Sequence, residues 1–150
     1  MNLKDIAKKY PEAAAFAGVA ASVWNGSNSP AKVEMQVTGK LHAELENLLN
    51  KSIQTVFITD SDMRHIKKYH SKNEDARGQV NLTPRDFALI PLVLNEYDSI
   101  EMTDVDKLGN KRFLLSKVIE NETYITTIQR GKKKMEVCSF WIKRMSGASC

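Results

Sequence analysis

Ile58-Thr-Asp-Ser-Asp-Met-Arg-His-Ile-Lys-Lys-Tyr-His70 places two of the chain's three histidines, a tyrosine and three cations within a few helical turns, directly after a β-like run from Gln54 to Ile58. Thr59 is an N-cap and Asp62, three residues on, completes a capping box. Asp60 and Asp62 suit the positive end of the helix dipole, and Lys67 and Lys68 its other end. At about 100° per residue, Met63, Ile66 and His70 share one helix face, while Asp62, His65 and Tyr69 share another. The histidines are therefore not equivalent. His70 lies on the apolar stripe, where its simplest role is packing under the helix end. His65 sits among polar neighbours, where its simplest role is a solvated surface side chain. An imidazole that titrates near neutrality is useful but common, so a catalytic role for either needs support from elsewhere.

Downstream of this helix the pattern changes period. Ser99 to Thr103, Lys111 to Ile119, Thr123 to Gln129 and Met135 to Ile142 are β-branched or aromatic runs of strand length, parted by turn signals at Leu108-Gly109-Asn110, Glu120-Asn121-Glu122 and Gly131-Lys132. They predict a four-stranded antiparallel meander. Alternation puts Met135, Val137, Ser139 and Trp141 on one face of the last strand and Glu136, Cys138, Phe140 and Ile142 on the other. Both sets are largely apolar, so this strand is expected to be central or covered on both sides.

Upstream, the reading is helical. Residues 3 to 9 form a short amphipathic segment, and Pro11 opens a second helix through an Ala-rich run to about Trp24. Gly26-Ser-Asn-Ser-Pro30 reads as a boundary loop, which divides the chain into an N-terminal helical extension (1–30) and a compact domain (31–145). Val33 to Val37 alternates as a short strand would. Leu41, Leu45, Leu48 and Leu49 mark a helix, with His42 on its surface beside Glu46. Lys72 to Asn81 reads as an exposed loop. Thr83-Pro84-Arg85-Asp86 repeats the capping pattern, and Pro91 splits the following apolar run into two short helices. A helix-rich N-terminal half followed by a four-stranded antiparallel sheet is an α+β fold.

The 150 residues, 42% of them hydrophobic, suffice for a soluble domain with a real core. The Ala13 to Val23 run is too short and too weakly apolar to span a bilayer, so no membrane association is expected. The net charge of +4 is uneven: residues 104–150 hold ten Lys/Arg against five Asp/Glu. That basic third favours a polyanionic partner, although basic strand edges also guard against sheet-to-sheet association. Cys138 lies in an apolar run and Cys150 ends the chain, which points to a reducing compartment rather than a disulfide framework. No Cys/His/carboxylate set has the spacing of a zinc site and no glycine-rich phosphate loop is present, so metal or nucleotide chemistry is not indicated and no cofactor is expected.

The order of the pieces resembles a known group. Thr38-Gly-Lys-Leu41, the leucine helix, Val56-Phe-Ile-Thr59, Met63-Arg-His-Ile66, Tyr69-His70, Ile90-Pro91, Asp98-Ser-Ile100 and Ser139-Phe-Trp141 are similar to the phage-associated branch of the barnase, EndoU, colicin and RelE nucleases. In that branch a helix with a His-Ile pair, and a second His four residues after the Ile, precedes a four-stranded antiparallel sheet. The resemblance covers about Val33 to Trp141. It departs from the pattern at Tyr69, where an arginine is more usual, at Asn95-Glu96-Tyr97, where a proline often precedes the Asp, and at Trp141, where a tyrosine is usual.

The resemblance implies a small metal-independent endoribonuclease acting in the cytoplasm of the producing or target cell, as a toxin or effector linked to phages. RNA is then the substrate, with tRNA among the candidate targets, and an inhibitor or immunity protein is an expected partner. His65, His70 and Ser139 are the catalytic residues it carries over. The chemistry fits on its own terms: RNA cleavage without a metal needs a base for the 2′-hydroxyl, an acid for the leaving 5′-oxygen and a cation for the phosphorane. Which histidine is base and which acid stays open. Lys111, Arg112 and Lys117, with the cluster Arg130, Lys132, Lys133 and Lys134, are the expected substrate-binding cations. The competing reading is a catalytically inactive RNA- or protein-binding module of the same fold.

Overall fold

The computed structural model describes residues 3–130 and 134–144. Thr59 caps the helix Asp60–His70 as its spacing predicts, its side chain accepting from the Asp62 amide while the Asp62 carboxylate accepts from the Thr59 amide. In chain order the helices are α1 (Leu3–Lys9), α2 (Glu12–Trp24), α3 (Gly39–Leu49), α4 (Asp60–His70) and α5 (Ile90–Glu96). The strands are β1 (Lys32–Gln36), β2 (Thr55–Thr59), β3 (Gln79–Val80), β4 (Ser99–Val105), β5 (Lys111–Ile119), β6 (Glu122–Arg130) and β7 (Met135–Arg144). Two 3-10 turns, Glu74–Arg77 and Pro84–Leu89, complete the framework. The Thr83 capping box forms with Asp86, and Pro91 stands in the first turn of α5, where its missing N–H costs no bond.

The expected antiparallel meander forms in the last third, as β4–β5–β6–β7. The expectation of four strands is corrected to seven, in one sheet of order β1-β2-β7-β6-β5-β4 with β3 also paired to β7. Three short strands upstream of the meander join it because β7 would otherwise leave its second edge unpaired. Met135 and Glu136 pair in parallel with Val56 and Phe57 of β2, and Ile142 and Lys143 pair antiparallel with Val80 and Gln79. β7 is therefore central, and one of its pairings is parallel.

The helices cover one face. Met63 and Ile66 of α4 and Leu41 and Leu45 of α3 are fully buried in the same core as Phe113, Leu115, Ile128, Val137 and Phe140. Phe16, Ala20 and Val23 of α2 enter this core as well, so the N-terminal helix packs on the sheet domain. The stretch expected as a loop from Lys72 to Asn81 is instead ordered by a 3-10 turn and β3, and buries Glu74 completely. Among the described residues no helix is long and apolar enough to cross a membrane.

The face assignment within β7 also needs correcting. A bulge between Thr127/Ile128 and the facing strand leaves Cys138 without a direct partner, since Ile128 faces Val137 and Thr127 faces Ser139. One extra residue shifts the alternation by one. Met135 and Val137 before it, and Phe140 and Ile142 after it, all point to the core, while Glu136, Ser139 and Trp141 turn to the face without helices.

Candidate active site on the open sheet face

Cross-strand neighbours share a face, so the register builds the open side row by row. One row runs Glu136, Gln129, Arg112, Asp104; the next Ser139, Thr127, Leu114, Glu101; the third Trp141, Ile125, Ser116, Ser99. Hydrogen bonds confirm the alignment: Ser139 Oγ lies 2.6 Å from Thr127 Oγ1, and Arg112 donates to Gln129 Oε1 at 3.0 Å. The Arg112 Nε is buried without a hydrogen-bond partner, with the Asp104 carboxylate 3.8 Å away.

α4 flanks β7 along this face. At its start Asp62 meets Glu136, and at its end the His70 ring stacks on Trp141 with centroids 5.7 Å apart and planes 21° from parallel. Asp62 and His70 are separated by about 12 Å of helix rise. The His65 ring is exposed and contacts Tyr69 at 4.8 Å, on the same stripe of the helix as Asp62.

His70 is the more constructed of the two histidines. Its side chain is only 16% exposed, and its Nδ1 lies 3.2 Å from Oε2 of the fully buried Glu74. The other Glu74 oxygen takes a hydrogen bond from Arg77, which also donates to the Tyr69 carbonyl at 2.6 Å. Asn81 Oδ1 accepts from the Glu74 amide at 3.0 Å, and the Leu82 amide donates to the His70 carbonyl at 2.9 Å. The loop after α4 is thereby folded back under the histidine. With Nδ1 held by a carboxylate, Nε2 is the nitrogen free to exchange a proton.

The cations expected to bind substrate are dispersed. Arg112 alone among Lys111, Arg112 and Lys117 lies on the open face. Lys111 and Lys117 alternate onto the helix-covered side, Lys111 reaching the Leu48 carbonyl at 3.3 Å and Lys117 facing Asp98 at 3.7 Å. Lys134 pairs with Glu34 at 2.9 Å. Lys132 and Lys133 lie outside the described residues, as does the side chain of Arg130.

Two acids were not among the expected site residues. Glu74 stands four residues after His70, a helical spacing that could have linked them, but it falls in a stretch read as loop. Glu136 is lifted from the usual carboxylate range to about 7, first by a hydrogen bond with Asp62, then by partial burial and by the Asp62 charge. A raised pKa means the native state holds this proton, so its stabilising contribution is full below about 4.5 and is lost as pH climbs through about 7. Glu136→Gln should therefore match the wild type at pH 4.5 and be more stable at pH 8, by no more than about 1 kcal/mol because the group is largely solvated. Urea midpoints at the two pH values check this, and an equal difference at both would remove Asp62 as the cause.

A family model described as phage-Barnase-EndoU-ColicinE5/D-RelE like nuclease3 matches residues 35–148. No curated protein and no solved structure matches the chain. The matched span begins in β1 and includes α4, the 3-10 turn carrying Glu74 and the whole meander.

Proposed function

The chain belongs to this phage-associated nuclease family, and from that premise we propose that it is a metal-independent endoribonuclease whose acid/base chemistry is done by the histidines of α4. The observation that carries the reading is the His70 arrangement: an imidazole with one nitrogen fixed by the buried Glu74 carboxylate, its ring stacked on Trp141 at the margin of the open face. A carboxylate behind an imidazole fixes the ring and its tautomer, and stabilises the imidazolium once it has taken a proton.

In the proposed reaction the substrate's own 2′-oxygen attacks the adjacent phosphorus. The O2′–P bond forms, the P–O5′ bond breaks, and the products are a 2′,3′-cyclic phosphate and a free 5′-hydroxyl. One group takes the 2′ proton and another supplies a proton to the 5′-oxygen. His70 is one of the two, and His65 is the other. Five residues put the two side chains about 7.5 Å apart along the helix axis and about 140° apart around it, so the strand has to pass along the open-face edge of α4 to meet both. Arg112 is the cation on this face nearest in register to Ser139 and stabilises the charge that builds on the phosphoryl oxygens. Ser139, bonded to Thr127, supplies a hydroxyl to the same oxygens.

The purified chain is expected to cut single-stranded RNA in EDTA and to leave 2′,3′-cyclic phosphate ends. A 2′-deoxy residue at the scissile position should abolish the cut, because the nucleophile is then missing. Cleavage that survives the 2′-deoxy substitution, or that EDTA abolishes, would overturn this mechanism. No cleavage of a broad panel of cellular RNAs would return the chain to the reading of an inactive binding module.

A further inference from the structure

On the flank of α4 that faces away from the open sheet there is a cleft of about 440 Å³ between the helix and the loop that follows α2. Its walls carry Arg64, Lys67, Lys68 and Lys72, with Ser27 and Asn28 opposite, and no carboxylate lines it. Arg64 is committed: it pairs with Asp60, whose other carboxylate oxygen accepts from the Ala31 amide at 2.9 Å, and it reaches the Ser27 carbonyl at 3.4 Å. Among the described residues none of the three lysines has a carboxylate within salt-bridge distance; Lys67 is held over the Trp24 ring at 5.6 Å and Lys68 over the Tyr69 ring at 5.5 Å. Cations near a helix C-terminus complement its dipole. That effect does not account for three of them gathered in one cleft, where each raises the electrostatic cost of the next unless an anion is present.

We propose that this cleft binds the phosphate backbone of RNA through Lys67, Lys68 and Lys72. The inference rests on the ribonuclease reading and extends it to the path of the strand beyond the cleaved phosphate. Two observations favour RNA as the polyanion. Lys68 lies three residues from His65 and Lys67 three residues from His70 on one short helix, so a single strand crossing α4 can meet both the cleft and the histidines. Arg64 to His70 span about 9 Å along the helix axis and Lys72 continues the row into the loop beyond, long enough for more than one phosphate. Of the meander's described cations, Lys117 and Lys134 are engaged with Asp98 and Glu34, and Arg112 belongs to the proposed catalytic site.

The test uses the full chain and a single-stranded 2′-O-methyl RNA, which cannot be cleaved, so binding is read apart from chemistry. For the Lys67→Gln/Lys68→Gln/Lys72→Gln variant, affinity should fall on the order of tenfold or more at low salt. The slope of log K against log salt should flatten by about two units, because each phosphate contact on a single strand contributes roughly 0.7. The triple Lys→Arg variant should keep the wild-type slope, and thermal melts verify that the Gln variant folds. An unchanged slope in the Gln variant overturns the proposal and assigns the charge to solvent or to an acidic protein partner. A wild type that does not bind the RNA overturns it as well. The two readings fail separately: a chain that binds with the predicted slope change but never cuts loses the catalytic reading and keeps the cleft, whereas one that cuts with an unchanged slope loses only the cleft.

Discussion

His70→Ala is expected to lower kcat/KM for RNA cleavage by about 10²- to 10⁴-fold, the usual contribution of one positioned proton-transfer group. The ring sits between Glu74 and Trp141, so the substitution also removes packing and one partner of a buried acid. That should cost about 1–3 kcal/mol of stability. The loss of rate therefore has to be separated from a loss of fold. His65→Ala supplies the comparison: its exposed ring touches Tyr69, and removing it should leave the melting temperature within a degree or two of wild type while lowering the rate over the same range. Assayed well below the melting temperatures, a slow and folded His65→Ala with a slow His70→Ala supports two proton-transfer groups. A His65→Ala enzyme at full rate leaves His70 alone and moves the second role to another group on the open face, where Glu136 is the acid already poised near neutrality. Two variants at full rate remove α4 from the chemistry.

The helix and its cap were legible because they rest on local rules. Thr59 and Asp62 sit at fixed offsets, Met63 and Ile66 at helical spacing, and neither depends on what lies across the molecule. The meander was legible for the same reason, as β-branched runs between turn residues. The family, too, could be recognised from short motifs along α4 and β7. What could not be read was anything set by pairing at a distance. β1, β2 and β3 are two to five residues long, and only the open edge of β7 shows that they belong to its sheet. The bulge at Cys138 leaves no local signature in Val137-Cys138-Ser139, yet it moves Phe140 into the core and Ser139 and Trp141 onto the open face. Site electrostatics were hidden in the same way. Net charge in the C-terminal third pointed to Lys117 and Lys134, but partners at Asp98 and Glu34, nineteen and a hundred positions away in the chain, take up both.

The buried acid behind His70 gives the largest expected stability effect, and the size depends on which partner is removed. Glu74 has no exposed surface, whereas the Arg77 side chain is 52% exposed and that of His70 is 16% exposed. Glu74→Ala removes the deeply buried charge itself and leaves two groups that water can still reach, so its cost should be near that of a lost hydrogen-bonded partner, about 1–3 kcal/mol. Arg77→Ala does the reverse. It strands a fully buried carboxylate with one imidazole and no permanent cation against it, and breaking a buried pair in this sense costs about 3–5 kcal/mol. The prediction is an inversion of what surface position suggests: loss of the half-exposed arginine destabilises the chain more than loss of the buried glutamate. The double variant, with neither charge, should recover part of the Arg77→Ala deficit, since the stranded acid is gone. Urea denaturation of the two single variants and the double variant gives the coupling directly. If Glu74→Ala is the more destabilised single variant, or if the double variant is worse than both by the sum of their effects, the acid is not held as an ion by Arg77. The fixed-carboxylate basis for His70 as the proton-exchanging group then falls with it.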